Sequence, residues 1–568
     1  MKKMKYLLYI LQFTIGVLFF SCSKENLNVE FPKQPEEQFF NNEQKLDRGI
    51  RGVYAQMTDL YSFGGMSCVY PMYLLPEDAF TMNAGGSLTN LDNFKGFNSS
   101  NGLNGTYWNL LMRLVNRSNT MLEITAKYQS IYKTEGLKDI HQGECYFLRG
   151  YAVFKLWENW GKPPVITKRI VSVDDPAIYT KETSGIAALD SAIADMKKAE
   201  VLLANKKQWD NSNLGRITLN TVEGFLVKFY TIRASYSDTK TQDYQNAIAA
   251  FNKIDQSITT IEGVKYGDNF DGHTENNKES LFEYQAGDAP SGDLIWLDND
   301  FGGNIGRQGA SFVFFNMGGG VFWTWNQPVI PTKKLINKFN PLDARFTECM
   351  DSVDIYMDKY NRDLMWFRWG AYSTGYVFHK YMRPAVYKNR NDHEKGGILY
   401  QARDTYGKNG YGAASTTTNP RILRFADVKL MVAEAYLETS DAASALKQVN
   451  DIRTRARLST MDGVASPEPA NLSSVDRQAI MDERMRELCG EEDHRLVDLR
   501  RWQKAGWINM NSWVPKQPDD NSVIENTWGI ATDANNFDAS FLTEKNLLFP
   551  IPLSETSSNT NITQNQGY

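Results

Sequence analysis

The chain has 568 residues, 42% of them apolar, enough for one large core or two closely packed ones. Its formal charge of −5 grows more negative once the basic N-terminal leader is discounted, which argues against a nucleic-acid partner. Aromatics make up 12% of the chain, with 13 Trp, and many fall in Gly- and Asn-rich stretches unlike core helices.

Lys2, Lys3 and Lys5 precede an apolar run from Tyr6 to Phe20, the pattern of a secretory signal and too short for a comfortable membrane span. Ser21 then Cys22, followed by the polar Ser23, Lys24 and Glu25, looks like a lipobox, with Phe19 where Leu is usual. The reading is a signal peptide over 1–21 and an acylated Cys22 anchoring a tether over 22–40. An ordinary secretion signal with a chance cysteine is the alternative. Of the other cysteines, Cys68, Cys145, Cys349 and Cys489, none forms a CxxC pair or a Cys/His cluster, so no metal site is expected. Cys145 and Cys489 sit inside apolar helical patterns and are expected to be buried free thiols, although disulfides in this set stay open.

Helical periodicity dominates 41–260 and 420–510. Cys145, Leu148, Ala152 and Leu156 recur at steps of three and four, as do Leu189, Ile193 and Met196. The same spacing links Val222, Phe225, Phe229, Ile232 and Tyr236, then Ala247, Phe251, Ile254 and Ile258. Phe425, Val428, Val432 and Ala435 form one C-terminal stripe, and Ala445, Val449, Ile452 and Ala456 the next. Thr439–Ser440–Asp441 supplies the turn and N-capping side chains between them. Arg424 to Ala456 and Thr218 to Ile254 therefore read as helix–turn–helix pairs near the tetratricopeptide period. A third pair, Gly143 to Trp160 with Gly185 to Ala204, is split by a Pro163–Pro164 loop. Each pair has an apolar face it cannot bury alone, so stacking is expected. The expected class is all-α dominated: a tetratricopeptide-like scaffold with an N-terminal part at 41–261 and a C-terminal part at 262–568, packed as one unit.

Between 262 and 420, and again from Phe63 to Tyr107, glycine clusters such as Gly318–Gly319–Gly320 and Gly64–Gly65 break any long helix. Long irregular loops on a rigid scaffold are where binding residues concentrate. If Val321 to Asn326 is extended, Trp323 and Trp325 project from one face and present two parallel indoles. Flat rings beside amide and charged donors suit the apolar CH faces and hydroxyls of a glycan. Trp296, Phe97 and Trp366 are further candidate contacts, and Arg307, Asn83, Asn93 and Asp78 the polar ones. The competing reading places the Trp323 and Trp325 rings in the core. Trp108 and Trp157 lie on helical stripes and are assigned to packing.

Five stretches resemble the SusD/RagB family of outer-membrane nutrient-binding lipoproteins of the Bacteroidetes type. Glu144 to Trp157 (ECYFLRGYAVFKLW), with Gly161 and Pro163–Pro164–Val165, resembles the family's "EARFLRAYYYFDL…GGVPL". Arg421 to Tyr436 resembles "RYAEVLLMYAEA", Ala445 to Leu458 "A…IN.VR.RAGL", and Ile480 to Trp502 "I..ERRRELAGEGHRWFDLRRW". Asn546 to Pro552 and Thr563 to Tyr568 resemble the ending "YLFPIP…LTQNPGY". Departures are small: Cys145 and Cys489 replace small residues, and Gln566 replaces Pro. The resemblance implies a lipid tether at the cell surface, ligand-contacting aromatics on loops, no cofactor, and a SusC-like TonB-dependent barrel importer over which the lipoprotein acts as a lid.

Glu491–Glu492–Asp493–His494 is the densest ionisable cluster and could in principle hold a metal or serve glycoside cleavage. As structure it is a turn between helices, with Arg495, Arg500 and Arg501 as expected ion-pair partners. No HExxH, GxSxG or Walker pattern occurs, and the five histidines are scattered. Three functions stay in play: a glycan-binding lid of an importer, the same architecture capturing peptides, and a lipid-anchored hydrolase. Loop aromatics favour the first, and the missing catalytic constellation weighs against the third.

Overall fold

The computed structural model describes residues 35–61, 79–81, 97–172, 174–270, 274–285, 329–352, 376–378, 380, 419–460, 462–491, 495–510 and 544–568. After α1 (Glu43–Tyr54) and α2 (Gln56–Tyr61) come α3 (Gly102–Lys127), α4 (Leu137–Trp160) and α5 (Ala187–Leu202). Then follow α6 (Leu219–Ala234) and α7 (Lys240–Phe251), the short α8 (Ala344–Cys349), and the main C-terminal helices. These are α9 (Phe425–Glu438), α10 (Ala442–Leu458), α11 (Arg477–Leu488) and α12 (Arg495–Lys504).

The helices pair and stack as the stripes require. α3 packs on α4, α4 on α5, α5 on α6 and α6 on α7, and the array continues through α9 to α10 and α11. Thr218 caps α6 and shares a capping box with Thr221, satisfying N–H groups the first turn leaves open. Asp441 accepts from Ser444 N at the start of α10, and Ser440 adopts a left-handed turn conformation beside it. The apolar stripes outrun two helices: α6 stops at Ala234, before Tyr236, and α7 at Phe251, before the buried Ile254.

Small residues set the spacing of the array. A Cβ on Gly150 of α4 would stand 3.1 Å from the Ala192 carbonyl of α5, and one on Gly224 of α6 2.8 Å from Leu281. Phe154 and Phe229 then stack at 4.1 Å, while Phe147 and Phe225 meet edge to face at 5.0 Å. Polar residues of the first family-like stretch serve as fasteners. Arg216 grips the buried Glu144 at 2.8 and 2.6 Å, and Arg149 grips Asp195 at 2.7 Å through two N–H groups. One hydrophobic cluster runs from Leu46 to Ile562, so both halves share a core.

The C-terminal motif closes over the end of α4. Asn565 donates to the carbonyls of Trp160 (3.0 Å) and Phe549 (2.7 Å), and Trp160 Nε1 donates to Pro550 O at 3.1 Å. Trp108 and Trp157 are buried packing residues, as their helical positions require.

Among the described residues six short strands depart from the helical expectation: β1 (Ala79–Thr81), β2 (Ser280–Glu283), β3 (Val329–Pro331), β4 (Met350–Ser352), β5 (Tyr376–Phe378) and β6 (Arg421–Arg424). They form the antiparallel pairs β1–β3, β2–β6 and β4–β5. Three- and four-residue strands are too short for alternation to betray them. β6 also shortens the family-like stretch at Arg421, whose first four residues are strand and not helix.

Candidate functional site

Trp323, Trp325, Trp296, Trp366, Arg307, Asn83, Asn93 and Asp78 lie outside the described residues, as do Cys22, Cys68 and Glu492 to His494. The structure does describe where the segments carrying the candidate contacts are rooted. In the β1–β3 ladder Ala79 faces Pro331 and Thr81 faces Val329. The chain leaving Thr81 towards Asn83 and the chain arriving at Val329 from Trp325 thus meet the ladder at the same end. β3 also lies against β5, whose partner β4 is joined to it through 353–375, the stretch containing Trp366. Two adjacent ladders therefore gather roots of the segments 82–96, 286–328 and 353–375.

Phe97 is a correction. It is buried, with its ring edge-on to Phe549 at 5.2 Å, and belongs to the core instead of facing a ligand. The glycine-rich reading of Phe63 to Tyr107 also extends too far, because α3 already begins at Gly102 and Tyr107 is buried within it.

Behind the ladders lies a buried ionic network. Arg424, at the end of β6, donates to Glu491 from Nε at 2.6 Å and from Nη2 at 2.7 Å, and also reaches Glu487 at 2.9 Å. Arg345 of α8 reaches Glu483 (2.7 Å), Glu487 (3.0 Å) and Asp343 (2.8 Å). Arg455 of α10 joins Glu279 at 2.9 Å and also pairs with Glu487. Lys380, just past β5, donates to the Cys489 carbonyl at 2.8 Å and pairs with Glu491. The network thus ties α8 and the end of β5, which flank the loop-bearing ladders, to the helical frame.

Burial pushes the Glu491 carboxyl up, but the Arg424 guanidinium and the Lys380 ammonium outweigh it and hold the group below its ordinary range. Glu487 and Glu483 are held down in the same way by surrounding arginines. Two of the partners expected for the acidic cluster 491–494, Arg500 and Arg501, are corrected. Arg501 bonds to Glu434 and Asp498, and Arg500 donates to the Glu158 carbonyl at 3.1 Å. Glu491 reaches back across the fold to β6 instead of forward into α12. Lys380 and Glu279 carried no sequence signal, since their ionic partners lie far along the chain, as do Glu483 and Glu487 for Arg345.

Among the described residues no group of three or more His, Cys, Asp or Glu side chains is placed to hold a metal ion. None of the described helices is long and apolar enough to cross a membrane. A cleft of about 320 Å³ opens between Lys207–Thr218 and Asn276–Glu283. Its indole, Trp209, already carries the Lys206 ammonium 3.6 Å and the Arg216 guanidinium 4.2 Å from the ring centre, so it is not a bare stacking platform.

The described residues form a stacked helical frame with short strand ladders at the roots of long, aromatic-rich segments of sequence. Residues 232–568 match the model of the SusD family, and residues 25–231 match a model described as "Starch-binding associating with outer membrane". The chain belongs to the SusD family. It is 24% identical to SusD-like protein P2 of Formosa agariphila over 551 residues, covering 94% of each chain. Its fold resembles that of a SusD homolog from Bacteroides thetaiotaomicron, with a TM-score of 0.67 and 18% identity, over 94% of this chain and 98% of the other. It also resembles that of a laminarin-binding SusD-like protein, with a TM-score of 0.63 and 18% identity, over 93% and 100%.

Proposed function

We propose that this chain is a lipid-anchored outer-membrane lipoprotein that binds an oligo- or polysaccharide and delivers it to a SusC-like TonB-dependent barrel importer. The observation that carries the reading is the pairing of β1 with β3 beside β5, which brings together the roots of the segments bearing Asn83, Asn93, Trp296, Arg307, Trp323, Trp325 and Trp366. Family membership supports it, as does the laminarin-binding relative of the same fold. Lipidation at Cys22 rests on the N-terminal pattern, and surface exposure on the family resemblance.

The protein acts by capture and not by bond cleavage. Glu491, the described member of the acidic cluster, is fully buried and spent on Arg424 and Lys380, so it can neither donate a proton to a leaving group nor meet a substrate. Incubating the mature chain with starch, laminarin and peptide panels tests this. Binding to a glycan with no product released is the expected result. Product formation that Glu491→Gln or Glu492→Gln abolishes overturns it.

A further inference from the structure

We propose that Cys349 and Cys489 form a disulfide that fastens the root of the β4–β5 hairpin to the C-terminal end of α11. The thiols are 140 positions apart in sequence, yet they share the same few neighbours. Tyr266 Oη stands 3.0 Å from Cys349 Sγ and donates to the Glu487 carbonyl, also at 3.0 Å, two residues before Cys489. Lys380 spans both cysteines: its backbone N–H points to the Cys349 carbonyl at 3.4 Å, and its ammonium bonds the Cys489 carbonyl at 2.8 Å. The Cys489 thiol, which donates to the Arg486 carbonyl at 3.7 Å, is near enough to Cys349 to help lower its thiol. Both are fully buried and reduced in the structure.

In the closed structure the surroundings of Cys349 favour its thiolate. Burial raises its thiol, but the Cys489 thiol, the Lys380 ammonium and the Tyr266 hydroxyl outweigh burial and hold it below the ordinary thiol value. Cys145 is the internal contrast. Burial, with the Glu144 carboxylate beside it, pushes that thiol well up, which disfavours its thiolate. The oxidant is an exchangeable disulfide, such as oxidised glutathione or an oxidised dithiol carrier of the export route. Cys349 Sγ attacks one sulfur of that disulfide, breaking its S–S bond and releasing one thiolate. Cys489 Sγ then attacks Cys349 Sγ, forming the protein disulfide and releasing the second thiolate. Two electrons pass to the carrier, and the two protein thiol protons end on its two thiols. Because both sulfurs are buried, the exchange runs before α11 and the hairpin close, or during their opening.

The consequence is mechanical. Cys349 ends α8 and directly precedes β4, whose partner β5 leads to Lys380. The cross-link holds the root of the segment containing Trp366 against the ionic network, and it closes a long loop of chain, where a disulfide restricts the unfolded state most.

Peptide mapping decides the matter. The full mature chain carrying Cys22→Ala is reduced, unfolded, refolded with reduced and oxidised glutathione, trapped with an alkylating reagent and digested. The expected result is one pair of peptides, containing Cys349 and Cys489, joined until reduction, with Cys145 alkylated directly. The oxidised form should melt higher than the reduced form by about 2–5 °C, and Cys349→Ser should erase that gain. Direct alkylation of both cysteines without reduction overturns the proposal. So does a linkage to Cys68 or Cys145, or a melting gain that survives Cys349→Ser.

Discussion

Two parts of the helical frame solve one packing problem with opposite chemistry. Where α4, α6 and β2 meet, the contact is aromatic: Phe147, Tyr151, Phe225 and Phe282 interlock edge to face, and Phe154 stacks on Phe229. Where α11, β6, α8 and α10 meet, it is ionic, with Glu487 shared among Arg345, Arg424 and Arg455. An aromatic contact tolerates small adjustments, because dispersion and area burial carry little directional demand. A buried ion network does not, because each charge removed from water must be met in correct geometry. The ionic solution is found where the loop-bearing ladders are moored, so the positions of α8 and Lys380 are specified by direction as well as by contact.

The sharpest way to break this contrast is to remove one charge. Glu487→Ala removes the one carboxylate that three buried guanidiniums share, leaving each with fewer partners, and is expected to cost about 3–5 kcal/mol, read as the shift in a denaturant midpoint. Phe229→Leu on the aromatic side keeps most of the apolar volume and loses one stacked pair, for about 1–2 kcal/mol. Equal costs would mean that the two contacts are energetically alike.

Acidity separates the regions with opposite sign. The carboxylates of the ionic network are held below their ordinary values, so their contribution is complete above the unfolded range near 4.5 and is lost as the pH falls further. Glu223 of α6 behaves the other way. Burial, and the Glu200 carboxylate beside it, push it up to about 8. Below about 4.5 folded and unfolded chains both hold that proton. Between about 4.5 and about 8 the unfolded chain gives it up first, and stability drains as the pH rises. Glu223→Gln should therefore gain on the parent protein steadily across that window and match it in acid, measured as melting temperature against pH. A parallel pair of pH profiles would contradict the assignment.

How much of this was legible follows from where the information lies in the chain. α6, α9 and α10 were readable because period and cap sit within a few residues of one another: Thr218 with Thr221, Asp441 with Ser444. Phe97 was not, because the ring that buries it, Phe549, lies far away in sequence and the local composition is that of a loop. The partners of Glu491, the described member of the acidic cluster, were hidden for the same reason. Arg495, Arg500 and Arg501 are near in sequence, whereas Arg424 and Lys380 are near in space. The strand ladders were too short to show as alternation, although they decide which loop segments share a root. The candidate aromatics were legible as a composition, and their joint role remains a proposal built on those roots.

The central claim is that Trp323 and Trp325 serve a ligand while the frame serves stability. Trp323→Ala combined with Trp325→Ala, followed by glycan affinity and melting temperature on the same preparation, tests it most directly. Loss of each stacked ring should weaken binding by about 1–3 kcal/mol, roughly five- to a hundred-fold in Kd, with the melting temperature nearly unchanged. A large fall in melting temperature, of the kind a loss of about 3–5 kcal/mol of folding stability produces, with the affinity of the folded fraction intact, would instead make both residues core and contradict the account.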